Sequence, residues 1–288
     1  MKPPPFAYEC PTEVADAVAL LAAHGGDARP LAGGQSLVPL LNFRLARPAM
    51  LVDLNRIEAL RSVAVEGGVL RIGAMTRQAE IEADAAVARG WPILTEAIGH
   101  IAHPQIRNRG TVGGSLALND PAAELPAVML ALDAEMRAQG PVGQRSIAAH
   151  DFFAGTMETA LAPDELLTEI RVPALPAGTG WGFEEAARRA GDFALVAACV
   201  LLSPGTDGGL AARVVLTGIG AGPARAREAE AILAERGWGA DACEAAGAAA
   251  AAASEPADDP HAPAWYRRRL VAALTARASR RALQRMGR

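Results

Sequence analysis

Leu31-Ala32-Gly33-Gly34-Gln35-Ser36-Leu37 is answered about eighty residues later by Gly110-Thr111-Val112-Gly113-Gly114-Ser115. Each stretch is a glycine pair closed by a hydroxyl or amide side chain and set between apolar segments. Glycine lets backbone N–H groups approach a phosphate with no Cβ in the way, and successive amides form an anion-binding nest. Two such nests predict a pyrophosphate held between two loops. Ala28-Arg29-Pro30-Leu31 reads as a strand leading into the first loop. Behind it Leu37, Val38, Leu40, Leu41 and Phe43 recur at helical spacing, with Pro39 tolerated in the first turn. Ser36 then stands at a helix start, where free amides favour negative charge. For either stretch alone, an ordinary glycine turn is the plain alternative.

Outward from these loops the chain reads as α+β. Residues 6–10 predict an opening strand and Thr12 the N-cap of a helix with Val14, Val18, Leu20 and Leu21 on one face, stopped at His24-Gly25-Gly26. Met50-Leu51-Val52-Asp53-Leu54 closes a small βαβαβ-like unit. Val63-Ala64-Val65 and Val69-Leu70-Arg71-Ile72 predict a hairpin turned at Gly67-Gly68. Thr76 is the expected cap of a helix that Gly90 ends; Trp91-Pro92 begins another, running to about His100, and residues 101–110 cross to the second loop. Residues 124–132 read as a helix, 134–137 and 166–172 as strands. Two lobes result, about 1–57 and 58–175, with the nucleotide between them. The Pro- and Gly-rich stretch 173–182 is the expected boundary to a smaller α+β domain over 179–288. Strands are predicted there at 183–187, 193–202 and 214–218, the latter two joined through 206–209. Two or three helices follow, the alanine run 248–253 in one of them, with 254–263 a loop.

The 288 residues are 51% hydrophobic and 21% charged with net charge −4, an ordinary globular composition too long for one typical core. No apolar run of about eighteen residues is present, and Met1-Lys2-Pro3-Pro4-Pro5 lacks a secretory pattern, so the expected location is the cytoplasm. Cys10, Cys199 and Cys243 are scattered and offer no iron–sulfur spacing, and His24, His100, His103, His150 and His261 form no HxxxH or HExxH pair. No metal site is expected in this chain. Asp53 falls where a Rossmann unit places its ribose-binding acid, but Ala32-Gly33-Gly34 is not GxGxxG. Gly218-Ile219-Gly220-Ala221-Gly222 imitates a dinucleotide loop until Pro223 occupies the sixth position. Residues 265–288 hold eight arginines and no acid, leaving −12 on the other 264 residues. Leu270, Leu274 and Leu283 give that tail a packing face, so it is read as a docked helix rather than a nucleic-acid or lipid binder.

The two loops, the run Ile106-Arg107-Asn108-Arg109 before the second, Asn119-Asp120-Pro121-Ala122-Ala123-Glu124-Leu125-Pro126, and Arg188-Arg189-Ala190-Gly191-Asp192-Phe193-Ala194 together resemble the FAD-binding medium subunit of molybdenum hydroxylases. That family includes carbon monoxide dehydrogenase and xanthine dehydrogenase. The resemblance implies a two-lobed FAD-binding domain of the PCMH (vanillyl-alcohol oxidase-like) type with a carbon monoxide dehydrogenase flavoprotein-like C-terminal domain. It places Ala32, Gly33, Gly34, Gln35, Ser36, Leu37, Thr111, Gly113, Gly114 and Ser115 at the pyrophosphate and ribityl region, Glu124 by the ADP half and Leu167 against the nucleotide. Phe193 falls beside the isoalloxazine, where many members have tyrosine; Ile101 and His103 lie on the segment leading to the flavin edge. Gln35 replaces a common histidine, Ser115 a common asparagine, and an acid stands near Glu184-Glu185 where some relatives carry a base.

The implied role is electron transfer with no catalytic side chain of its own: FAD collects electrons from two [2Fe-2S] clusters of a small partner, behind a molybdopterin-binding large partner, and passes them to an external acceptor. The implied assembly is a dimer of heterotrimers. A self-sufficient FAD-dependent oxidase or reductase, an NAD-dependent dehydrogenase and a binding module that has lost FAD are the rival classes.

Overall fold

Short parallel strands need crossover connections, and the N-terminal segment supplies them. In the computed structural model, which describes residues 2–205, 210–236 and 239–286, β1 (Ala7–Glu9), α1 (Val14–His24), β2 (Ala28–Leu31), α2 (Leu37–Asn42) and β3 (Met50–Asp53) form a parallel sheet in the order β1-β3-β2. Ala17, Val18 and Leu21 of α1 bury against Met50 and Val52. The expected cap Thr12 is not used: Glu13 occupies the N-cap position, extended and without a side-chain bond.

The second lobe is a five-stranded antiparallel sheet with helices on one side. Its elements are β4 (Val63–Glu66), β5 (Val69–Gly73), α3 (Gln78–Ala83), α4 (Ala85–Gly90), α5 (Pro92–His100), α6 (Pro104–Arg107), α7 (Val112–Leu118), α8 (Glu124–Ala131), β6 (Glu135–Gly140), β7 (Gly143–Ala148), α9 (Ala149–Phe152), the small hairpin β8 (Phe153–Gly155) and β9 (Glu158–Thr159), and β10 (Leu166–Val172). The sheet order is β4-β5-β10-β6-β7. Gly67 and Gly68 make the hairpin turn at φ +57° and +81°, the left-handed pair that matches strand twist. Thr76 again is not a cap; its hydroxyl donates to the Ser62 carbonyl (3.0 Å), and Arg77 takes the cap position. The helix expected to end at Gly90 is two helices, because the Asp84 carboxylate accepts from the Ala86 and Val87 N–H groups and starts a new one.

β11 (Gly180–Ala186), β12 (Val196–Pro204), β13 (Leu210–Thr217) and β14 (Ala224–Arg225) form an antiparallel sheet covered by α10 (Arg227–Arg236), α11 (Ala240–Ala252) and α12 (Ala264–Arg285). β11 begins inside the stretch expected to be a linker: Gly180 and Gly182 are strand residues, because a Cβ there would collide with the α12 carbonyls of Ala282 and Ala278. Residues 193–195 stay outside β12, and the expected 206–209 connection lies outside the described residues. Gly218 to Gly222 leads into β14 rather than a helix, which removes the dinucleotide-loop resemblance. The tail is docked as expected, with Arg267 buried beneath it.

α8 explains how the parts are joined. All eight of its residues are buried, since it packs on α5 and α7 on one side and on β12 and β13 on the other. Leu125, Val128 and Met129 therefore share one core with Phe183, Cys199, Leu201 and Val215. A helix that is apolar all round is an interior helix. Among the described residues no helix is long and apolar enough to cross a membrane.

Candidate functional site

The two glycine loops touch backbone to backbone. A Cβ on Gly33 would lie 2.3 Å from the Arg109 carbonyl oxygen, one on Gly113 would lie 2.5 Å from the Ala74 Cβ, and one on Gly114 would lie 2.6 Å from Thr111 Oγ1 and 3.4 Å from the Ala32 Cβ. Gly34 turns the first loop at φ +73°, a left-handed conformation that side chains resist. One side-chain bracket spans both loops. Asn55 Nδ2 donates to the Ala32 carbonyl (3.0 Å), and Arg77 donates to Asn55 Oδ1 (2.6 Å) and to the Arg109 carbonyl (2.5 Å).

The loops differ in what they leave free. In the second, the Val112, Gly113, Gly114 and Ser115 N–H groups donate to Thr76 O, Ala74 O, Thr111 Oγ1 and Thr111 O. The expectation of two amide nests is corrected to one, because two of the second loop's amides donate across to Thr76 and Ala74 and the other two are taken up by the N-cap Thr111 as α7 starts. In the first, the Gly33, Gly34, Gln35 and Ser36 N–H groups meet no acceptor among the described residues. Gln35 folds back to donate to the Gly33 carbonyl (3.1 Å), and Ser36 is exposed ahead of α2.

Positive charge gathers at the same place. Burial, together with the neighbouring Arg109 and Arg61 charges, lowers the Arg77 pKa from its ordinary value. Such crowding of cations is relieved by an anion. Glu80 and Asp53 offset only part of that crowding, since the Arg77 pKa stays lowered. The Asp53 carboxylate accepts from the Tyr8 hydroxyl (2.5 Å) and the Asn55 N–H (2.9 Å), and the hydrogen bonds from Tyr8 and Asn55 outweigh its burial and keep its pKa low. The acid is thus committed within the chain, in agreement with rejecting it as a ribose ligand.

The remaining expected residues lie along the seam between the two domains. Ile101 follows α5 and is half-buried; its carbonyl accepts from Arg107 (2.9 Å), which is held by a two-toothed pair with Glu82. His103 precedes α6 and sits so close to Gly191 that a Cβ there would lie 2.4 Å from its Cε1. A cleft of about 250 Å³ opens at this contact, lined by Gly99, His100, His103, Glu185, Arg189 and Gly191 among others. Phe193, two residues further on, is 66% exposed, unlike every other phenylalanine of the C-terminal domain. Leu167 is buried in the core at a bulge of β10. Glu124, at the first turn of α8, is only 5% exposed, and burial with a contribution from Asp120 pushes its pKa up to about 7.

Three residues of this region escape sequence reasoning: Asn55, Arg77 and Glu185. Asn55 and Arg77 act through bonds to carbonyls of distant loops, which no spacing encodes. For Glu185 the signal was the acid at a position where some relatives have a base.

The comparisons with known proteins cover the same ground. The family described as "FAD binding domain in molybdopterin dehydrogenase" matches residues 4–175, and "CO dehydrogenase flavoprotein C-terminal domain" matches 181–282. The chain is 42% identical over 286 residues to the 6-hydroxypseudooxynicotine dehydrogenase complex subunit alpha of Paenarthrobacter nicotinovorans, covering 99% of this chain and 97% of that one. It is 42% identical over 282 residues to the carbon monoxide dehydrogenase medium chain of Afipia carboxidovorans, covering 98% of each. Among solved structures, a chain of carbon monoxide dehydrogenase from Hydrogenophaga pseudoflava superimposes with a TM-score of 0.95 at 41% identity, over 99% of this chain and 100% of that one. Free amides, clustered cations and the shared core thus occur in a chain matched from end to end, and it belongs to the family of FAD-binding medium chains of carbon monoxide dehydrogenase and related molybdopterin dehydrogenases.

Proposed function

We propose that the chain is the FAD-carrying electron-transfer subunit of a multi-subunit molybdenum hydroxylase. The observation that carries the reading is the row of four N–H groups, Gly33 to Ser36, that meet no acceptor among the described residues, with Gly33 against the Arg109 carbonyl and Arg77 bonded to that carbonyl. A pyrophosphate placed there would receive those amides and the Ser36 and Ser115 hydroxyls while neutralising the guanidinium cluster. Thr111 would act from one step behind, because its Oγ1 holds the Gly114 N–H in place. Glu124 would lie by the ADP half, Leu167 would form the apolar floor, and the exposed Phe193 ring would close over the isoalloxazine with Ile101 at the edge. FAD, when bound, supplies the redox chemistry, and the chain supplies binding, orientation and electrostatics.

Relatives named as a complex subunit and a medium chain support a multi-subunit assembly; the partners proposed for it are a molybdopterin-binding large subunit and a small subunit bearing two [2Fe-2S] clusters, paired as a dimer of heterotrimers. Val38, Phe43 and Leu45, exposed just beyond the first loop, are the kind of apolar surface that an assembling subunit carries. The test is an absorption spectrum of the chain purified alone and with its co-purifying partners. Flavin bands are expected in both, and iron–sulfur absorption only with partners. Gly114→Val is expected to lose the flavin while keeping its far-ultraviolet circular dichroism; full flavin occupancy in that variant would refute the placement of the cofactor. Reduction of the isolated chain by an organic substrate would instead establish a self-sufficient oxidase.

A further inference from the structure

The two faces of β11 do different work. Gly180, Gly182 and Glu184 face α12, where Glu184 pairs with Arg277 (2.8 Å) and Arg281 (3.1 Å). Trp181, Phe183 and Glu185 face the first domain. Trp181 Nε1 donates to Glu96 (3.2 Å), and the Phe183 ring lies 5.2 Å from His100. Glu185 continues this row toward α8, yet no cation forms an ion pair with it among the described residues. Its Oε2 is buried and has no hydrogen-bond partner.

The strand register shows what it faces. Glu185 pairs with Ala197, and Ala197 pairs with Thr217. Thr217 in turn donates to the Pro121 carbonyl (2.5 Å), in the turn that leads to Glu124. The Ala197 side chain between Glu185 and Thr217 in that row is only a methyl group. Burial, and then the Glu124 carboxylate, push Glu185 up to about 8. Two largely buried carboxyl groups on one seam, neither of them paired with a cation among the described residues, do not both ionise. Glu185 also lines the 250 Å³ cleft, with His100, His103 and Arg189 around it.

We infer that Glu185 and Glu124 form an acid pair that holds one proton across the domain seam, and that the protonated Glu185 carboxyl donates its O–H to an acceptor atom of the FAD ring. Glu185 is then a positioning residue that ties cofactor binding to a proton. This rests on the FAD reading above. The charged groups around the pair are Glu96 and His100 of α5, His103 before α6, Asp120 before α8, Glu184 of β11 and Arg189 of the following loop. The informative quantity is the difference between wild type and Glu185→Gln, whose amide keeps a donor and cannot ionise.

The experiment uses the full chain, stripped of flavin, titrated with FAD from pH 6 to 9.5 by flavin fluorescence, together with urea unfolding of the flavin-free chain from pH 4.5 to 9.5. Wild-type affinity is expected to fall roughly tenfold per pH unit above about 8, the slope of a single linked proton. Glu185→Gln is expected to hold an affinity within about threefold of wild type at pH 7 with that slope removed, whereas Glu185→Ala binds about tenfold more weakly. In the flavin-free chain the folded form keeps protons that the unfolded form has lost, so wild-type stability falls as pH rises from about 5 to 8; Glu185→Gln removes the Glu185 share of that fall and leaves the share of the raised Glu124 carboxyl, which ends near pH 7. Superimposable affinity profiles for wild type and Glu185→Gln overturn the ring contact, and superimposable stability profiles overturn the shared proton. If wild type binds no FAD at any pH, the cofactor reading itself fails and the ring contact fails with it, whatever the stability profiles show.

Discussion

At the scale of single residues, the glycines of the two loops are there for contact more than for turning. Gly33 has no room for a methyl group beside the Arg109 carbonyl, whereas Gly26 has no atom within 4 Å of its would-be Cβ. Gly33→Ala is expected to lose about 1–3 kcal/mol of stability through overpacking and to lower flavin occupancy of the purified chain. Gly26→Ala is expected to be neutral or to gain up to about 1 kcal/mol by restricting the unfolded chain. Urea unfolding and flavin-to-protein ratios check both, and equal behaviour of the two variants would show that the loop contact carries no weight. The glycine pairs and their terminal hydroxyls were legible in the sequence, because their chemistry is local. The engaged amides of the second loop were not, since their acceptors, Ala74 and Thr76, belong to a different stretch of chain.

At the scale of elements, α12 is anchored by a buried cation. Arg267 donates to the Leu195 and Gly218 carbonyls and pairs with Asp259 (2.5 Å). Arg267→Met would strand two carbonyls and a carboxylate, and a loss of about 3–5 kcal/mol is expected in urea unfolding. The ion pair also gives the fold an acid limit. The Arg267 hydrogen bond holds Asp259 down to about 2, below its ordinary value of 3.8. Its contribution is therefore present above about pH 4 and is lost as pH falls toward 2. Asp259→Asn should flatten that part of the stability curve, followed by thermal melts between pH 2 and 5. Periodicity made α12 and β10 readable, the latter to the residue, because their apolar faces repeat. The break at Asp84 was hidden, because a cap competes with helix continuation through a single carboxylate.

At the scale of the molecule, the domains are latched by side chains as well as by the shared core. Glu96 of α5 accepts from Trp181, from Arg281 (3.1 Å) and from Arg285 (2.6 Å), and the Arg285 guanidinium lies 4.9 Å above the Trp181 ring. Glu96→Ala is expected to reduce cooperativity between the domains, so that its calorimetric transition is broader than the wild type's or divided in two. An unchanged, sharp transition would mean that α8 alone couples them. Composition pointed to a linker over 173–182, whereas β11 begins within that stretch. The reason is that the two glycines that look like linker residues serve the close approach of α12.

The latch also orders events in time. Glu96 and Arg281 are 185 residues apart, which at about 5–20 residues per second of synthesis is a wait of roughly 10–40 s. Within that interval, from the end of α8 at residue 131 to the end of β13 at residue 217, or roughly 4–17 s at the same rate, the half of α8 destined for β12 and β13 has no sheet to cover it, so the nascent chain displays an apolar stripe. Holdase chaperones would find their binding site on this helix, and slowing translation beyond residue 131 should raise the share of chain lost to aggregation before the second domain arrives.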